Sequence, residues 1–207
     1  MSINRSSSER CESTVSETFS VLAVCTGNIC RSPAMERLLA QIFRDEPNIE
    51  VNSAGTYAHD GEDMQEAMKQ RLADYGADTE DFTAQQVTPS VIDRAHIILT
   101  ATREHVADMA AEVPAARPRM FTLPEFARLL QSTDAAELDA AGDGKTAAET
   151  LAALVPQLNQ ARRRVGAATR EDDVVDPYML PESVFDTSFR QIRQPVELLA
   201  RTLGVSH

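Results

Sequence analysis

Residues 24–33 read VCTGNICRSP and hold most of the reactive side chains that this chain places close together. Cys25 and Arg31 stand in a Cys-x5-Arg arrangement, with Gly27 and Asn28 between them and Ser32 and Pro33 directly after. Taken singly, these residues could form a redox pair, half a metal site, a packed turn or a loop that holds an anion. Their types favour the anion loop. Pro33 suits the first position of a helix, where its missing N–H costs nothing, and Ser32 suits the N-cap before it. Gly27 and Asn28 tolerate the positive φ that a tight, inward-facing turn needs. Arg31 offers a planar fork of donors matched to two phosphate oxygens. Backbone N–H groups gathered at a helix N-terminus complete a cup for an anion, with a sulfur at its edge.

Such a cup also acts on the cysteine. Inward N–H groups, the helix dipole and Arg31 all favour thiolate over thiol, and the Ser32 hydroxyl can add to them. A thiolate facing a tetrahedral anion is a nucleophile directed at phosphorus. The same donors would hold the equatorial oxygens in the transition state. A metal site has little support: the other cysteine is Cys11, and His59, His96, His105 and His207 are scattered without an HxxxH or Cys-His spacing.

The surrounding pattern supplies a strand before this loop and a helix after it. FSVLAV (19–24) is a short apolar run, and PAMERLLAQIF (33–43) switches to helical spacing. IEVNSAG (49–55) reads as a second strand, and 62–75 as a helix ended by Gly76. AHIILT (95–100) reads as a third strand, followed by a helix over 103–111. PRMFTL (118–123) is a weaker fourth strand. Residues 181–203 read as a helix kinked or broken near Pro195. This alternation predicts an α/β fold: a doubly wound, four-stranded parallel sheet in three layers, with helices on both faces. Ligands in such sheets bind beyond the carboxyl ends of the strands, where VCTGNICRSP falls.

Two segments lie outside the plan. Residues 1–18 are expected to be a disordered N-terminal extension, which includes Cys11. The domain is expected over 19–207, with a helical insertion at about 131–170 around an Ala/Gly/Asp-rich linker. Arg162, Arg163 and Arg164 read as a solvated helix end. The chain has 207 residues, 43% of them apolar, and a formal net charge of −12. That charge argues against nucleic acid or an anionic membrane as the main partner, though a small site can be locally positive. No apolar run approaches the roughly 20 residues of a membrane span, and the polar N-terminus lacks a signal-peptide core, so the expected location is cytoplasmic.

The full run C-x-G-N-I-C-R-S-P after a short apolar strand resembles the signature of the low-molecular-weight protein tyrosine phosphatases. Further features follow in order: NSAGT (52–56), AHIILTATREH (95–105) and VVDPY (174–178). The resemblance covers about residues 19–204, interrupted by the insertion, and implies a phosphatase I-like fold. It implies that Cys25 attacks the phosphoryl group to form a phosphocysteine. Arg31 and the loop Thr26, Gly27, Asn28, Ile29, Cys30 and Ser32 would bind the phosphate. Asp176 would protonate the leaving phenolate and then act as base for water, and its neighbours Glu171, Asp172 and Asp173 would favour its acid form. The family also implies that Ser32 lowers the pKa of Cys25, and that Asn28 and Ser53 brace the loop. His59 and Tyr178 would line the substrate cleft, although His59 stands where members often carry an aromatic wall, and Met179 where many carry a second aromatic residue. Cys30 is either packing or a redox guard that traps oxidised Cys25 as a disulfide. Neither metal nor organic cofactor is implied.

The implied substrate is a phosphotyrosine protein, with tyrosine kinases of polysaccharide export as the family's tendency. Phosphate or other oxyanions would occupy the loop. Two rivals share the scaffold. Arsenate reduction needs a downstream cysteine relay or a small thiol, and no cysteine follows Cys30. Phosphoarginine hydrolysis resembles members with Thr where this chain has Ile29. A non-catalytic phosphate-binding or redox module would not need Asp176 beside Cys25 and Arg31.

Overall fold

In the computed structural model, residues 18–205 are described. The expectation for residues 1–18, Cys11 included, thus falls almost wholly outside the described residues. Strands β1 (Phe19–Cys25), β2 (Ile49–Gly55), β3 (Ile97–Thr100) and β4 (Met120–Thr122) form one sheet of order β2-β1-β3-β4. All three pairings are parallel, with Cys25 level with Gly55 and Val24 level with Thr100. The chain leaves β1 for β2 on one side, then crosses to β3 on the other. That reversal opens a crevice at the carboxyl end of β1.

Strand alternation assigns the two faces. Val21, Ala23, Cys25, Leu99 and Phe121 point into the larger core. It is covered by helices α1 (Arg31–Ile42), α2 (Glu66–Tyr75), α5 (Leu123–Gln131), α6 (Ala135–Gly142), α7 (Ala147–Val165) and α8 (Glu182–Leu203). Leu22, Val24, Ala54, Ile98 and Met120 face the other way, under α3 (Pro89–Arg94) and α4 (Arg103–Glu112). The expected three-layer α/β sheet is the one observed.

Several local expectations differ. Helix α1 begins at Arg31, with Cys30 as its N-cap, so Ser32 is inside the first turn rather than capping it. The Ser32 hydroxyl caps no helix and faces the cysteine instead. Helix α2 begins at Glu66, because the chain before it is pinned extended: the Gln65 N–H donates to the Ile29 carbonyl, 2.7 Å away. Strand β4 is shorter than expected, since Pro118 lies in a 3-10 helix over Pro114–Arg119. Thr122 is both the end of β4 and the N-cap of α5, its hydroxyl accepting from the Glu125 N–H. With no loop between them, the two hydrophobic periods merge in the sequence, and α5 escapes notice. Helix α3, six residues long, is too short to show a period. Helix α8 continues through Pro195 without a break. Arg162 is not solvated: its guanidinium forks onto the buried Glu125 at 2.8 and 3.1 Å and stacks on the Phe121 ring at 4.2 Å. This ties α7 to α5.

Candidate active site

Strand β1 delivers Cys25 to the bottom of the crevice, where it is buried. Its Sγ lies 3.0 Å from the Ser32 hydroxyl. Asn28, at φ 53°, holds the loop between them. Its amide donates to Ser32 Oγ at 2.9 Å and to Ser53 Oγ at 2.8 Å, while its Oδ1 accepts from the Gln85 N–H at 2.8 Å. Both N–H donors and the oxygen of a fully buried amide are thus engaged, which fixes its orientation. Among the described residues, no N–H of residues 26–30 has a backbone or side-chain acceptor. These donors at the start of α1 are what an oxyanion would satisfy.

Gly27 differs from expectation in its reason. Its φ is not positive; instead an added Cβ would stand 3.0 Å from the His59 ring. Gly55 is required by close approach, since a Cβ there would meet the Thr26 carbonyl at 2.4 Å. The loop after β2 can therefore lie flat on the cup, with Thr56, Tyr57 and His59 N–H groups donating to the Cys25, Thr26 and Gly27 carbonyls, each at 2.9 Å.

Arg31 is buried, and its NH2 group donates to Asp176 at 2.5 Å and to Thr26 Oγ1 at 3.3 Å, while NH1 reaches the Val174 carbonyl at 3.4 Å. The segment bearing Asp176 is anchored at every step. Arg128 of α5 holds Asp172, Arg103 of α4 holds Asp173, and the Val174 N–H donates to Ala101 O at 2.8 Å. The Val175 N–H donates to Gln191 of α8. Asp172 and Asp173 are therefore neutralised by their own arginines. The expected acidic field around Asp176 loses its main sources.

His59 and Tyr178 meet edge to face, with ring centres 5.5 Å apart, above Gly27. Together with Cys25, Thr26, Ile29, Cys30, Arg31, Tyr57 and Asp176 they line a cleft of about 360 Å³. A larger groove of about 810 Å³, near Ser20, Glu50 and His96, holds none of these residues. Chemistry, not size, singles out the smaller cleft. Cys30 lines it too, buried, with its thiol pushed up to about 12 by burial first and by Cys25 and Asp176 next. It stays a neutral thiol at ordinary pH.

Sequence reasoning missed four neighbours. Glu36 accepts the Ser53 hydroxyl, and burial raises its carboxyl above the usual range. One turn beyond Ser32 on a helix, it offered a faint signal. Gln85 and the exposed Tyr57 offered none, being loop residues without a pattern. His105 is buried beside the cup, 3.0 Å from Thr26 Oγ1, and burial followed by the Arg31 charge lowers its pKa to about 4.

Comparison with known proteins agrees with this geometry. Residues 20–164 match the family described as low molecular weight phosphotyrosine protein phosphatase, and the chain belongs to that family. A probable low molecular weight protein-tyrosine-phosphatase, EpsP of Ralstonia solanacearum, is 35% identical over 106 residues, 51% of this chain and 71% of that protein. A protein-arginine-phosphatase of Geobacillus stearothermophilus is 33% identical over 108 residues, 52% of this chain and 71% of that protein. The crystal structure of Erwinia amylovora tyrosine phosphatase AmsI superposes with a TM-score of 0.63 at 20% identity, over 92% of this chain and 95% of that one. That likeness concerns the fold. The family match stops short of Asp176, so its place rests on the anchors described above.

Proposed function

We propose that this chain hydrolyses phosphotyrosine in proteins, with Cys25 as nucleophile, Arg31 and the loop amides of residues 26–32 as phosphate binders, and Asp176 as general acid and base. The observation that carries it is the buried Cys25 sulfur, 3.0 Å from Ser32, under unsatisfied loop N–H groups and the Arg31–Asp176 pair. A phosphate entering the cup competes with Asp176 for Arg31 and so releases the carboxyl toward the leaving group. The Cys25 thiolate attacks phosphorus; the P–O bond to the phenol breaks, and Asp176 in its acid form gives its proton to that oxygen. Asp176, now a carboxylate, takes a proton from the water that cleaves the P–S bond. Thiolate and acid are thereby restored to the enzyme, and inorganic phosphate leaves.

Phosphoarginine is the second reading, favoured by the arginine phosphatase among the relatives. Against it, the cleft presents apolar Ile29 and the rings of Tyr57, His59 and Tyr178, which suit an aryl ester. The proposal extends to a tyrosine kinase of polysaccharide export as the protein substrate, in the cytoplasm; among the described residues no helix is long and apolar enough to cross a membrane.

Phosphotyrosine, phosphoserine, phosphoarginine and arsenate should be assayed side by side with wild type, Cys25→Ser and Asp176→Ala. The expected result is preference for phosphotyrosine, no turnover by the serine variant and a kcat loss of about 100-fold or more for the alanine variant. Unchanged activity in Cys25→Ser would overturn the mechanism, and a preference for phosphoarginine the substrate. The Asp176→Ala variant should also retain a tyrosine-phosphorylated kinase from cell extract; retention of none removes that part of the proposal.

A further inference from the structure

Helix α4 begins with a cap that reaches the active site. Thr102 is its N-cap and His105 its third residue, and the two close a capping box. The Thr102 N–H donates to His105 Nδ1 at 3.1 Å, with the Thr102 hydroxyl 2.8 Å from the same nitrogen. Nδ1 is therefore the bare nitrogen, and the ring proton sits on Nε2. That N–H points at Thr26 Oγ1, 3.0 Å away, and donates to it. Arg31 donates to the same oxygen from 3.3 Å. A hydroxyl has two lone pairs and one proton. With both lone pairs facing donors, the Thr26 proton is left over, and among the described residues it has no acceptor. Thr26 lines the cleft directly after the nucleophile.

We propose that Thr26 is a substrate-binding hydroxyl that donates to a non-bridging phosphoryl oxygen, and that His105 is the positioning residue that aims it. This deepens the reading of the site as a phosphatase and rests on it. The loop amides and Arg31 supply charge and backbone donors. Thr26 adds a side-chain donor held in one orientation before substrate arrives, so that little ordering is left for the binding step. His105 is suited to the task because it is buried and stays neutral. A protonated ring would put a second N–H against the Thr102 N–H and undo the cap that fixes its tautomer. The device spans two elements: the loop after β1 holds the hydroxyl, and the helix after β3 aims it. Neither segment's sequence points to the other.

The test compares wild type with Thr26→Val, Thr26→Ser, His105→Phe and the Thr26→Val/His105→Phe double variant. Two readouts are used: kcat/KM for p-nitrophenyl phosphate, and affinity for inorganic phosphate by calorimetry. A hydrogen bond to a charged group predicts a loss of about 10- to 100-fold in kcat/KM for Thr26→Val, with phosphate binding weakened in parallel. Thr26→Ser should recover most of it. His105→Phe should reproduce much of the loss in the wild-type background and add nothing in the Thr26→Val background, because the two residues act through one contact. If His105→Phe does not fold, His105→Ala takes its place in the cycle, since it too removes the Nε2–H that holds the Thr26 hydroxyl.

Thr26→Val within twofold of wild type on both readouts overturns the proposal. So does a histidine variant that costs the same in both backgrounds. A wild type that turns over no aryl phosphate would instead defeat the functional reading, while the calorimetric comparison of wild type with Thr26→Val would still decide the role of the hydroxyl.

Discussion

Ser32 has one proton and faces two acceptors, the Cys25 sulfur at 3.0 Å and the Ala54 carbonyl at 3.3 Å, while accepting from Asn28. When Cys25 is a thiol, it can donate to Ser32, which then donates to Ala54. When Cys25 ionises, the serine proton turns to the sulfur. Asn28 keeps the oxygen in place in both states, and its own amide is held through Ser53 by Glu36. The reactive thiolate is thus backed by neutral donors that need only rotate. His105 carries the clearest pH signature at this scale. Its folded pKa, about 4, lies below the ordinary 6.5, so the unfolded chain takes up a proton first as pH falls. The stability it contributes is present above about pH 6.5 and is lost as pH falls toward 4. The loss amounts to about 3 kcal/mol for this buried ring. Urea unfolding between pH 7 and 4 should show this slope flattened in His105→Gln; an unchanged slope would show that other groups carry it. Cys25, Arg31, Asn28 and Ser32 were legible because one short motif holds them. His105 and Glu36 were not, because their roles arise from contacts with residues far away in sequence.

Single polar contacts decide how the elements dock. Helix α7 is joined to α5 by Arg162, whose partner Glu125 is almost fully buried and also accepts the Ala168 N–H at 3.0 Å. Removing the arginine strands a carboxylate in the core. Arg162→Ala is expected to cost about 3 kcal/mol or more in urea unfolding. A cost below about 1 kcal/mol would mean that α7 is held by its apolar face alone. In the sequence the same arginine reads as the first of three at a helix end. Only the turn of α7 shows that Arg162 faces inward. The segment carrying Asp176 makes the related point. VVDPY marks the proposed acid, but Arg103, Arg128, Ala101 and Gln191 anchor its segment beside the cup, and they come from α4, α5, the end of β3 and α8.

Across the whole molecule, ligand binding and folding are linked, because the cup exists only when β1, β2 and α1 are assembled. A ligand at 100 times its dissociation constant stabilises the folded state by about 2.7 kcal/mol. For a domain of this size that raises Tm by about 5–10 °C. Inorganic phosphate should produce such a shift in wild type and in Cys25→Ser, and most of it should vanish in Arg31→Met. An equal shift in the Arg31 variant would place the anion elsewhere. The excess of negative charge makes the contrast sharper, since the proposed anion site lies within an acidic protein.

The sequence by itself determined the strand, loop and helix around Cys25, because local periodicity and residue chemistry need no distant partner. It also determined the parallel α/β plan, since strands and helices alternate along the chain. Tertiary structure alone decided the rest. It brought Asp176 to Arg31 across 145 positions and set His105 against Thr26 across 79. It gave Gly27 and Gly55 their purpose, which is room for His59 and for the Thr26 carbonyl rather than an unusual φ. Distances between remote residues are set by how sheet and helices pack, and packing leaves no periodic trace in the chain.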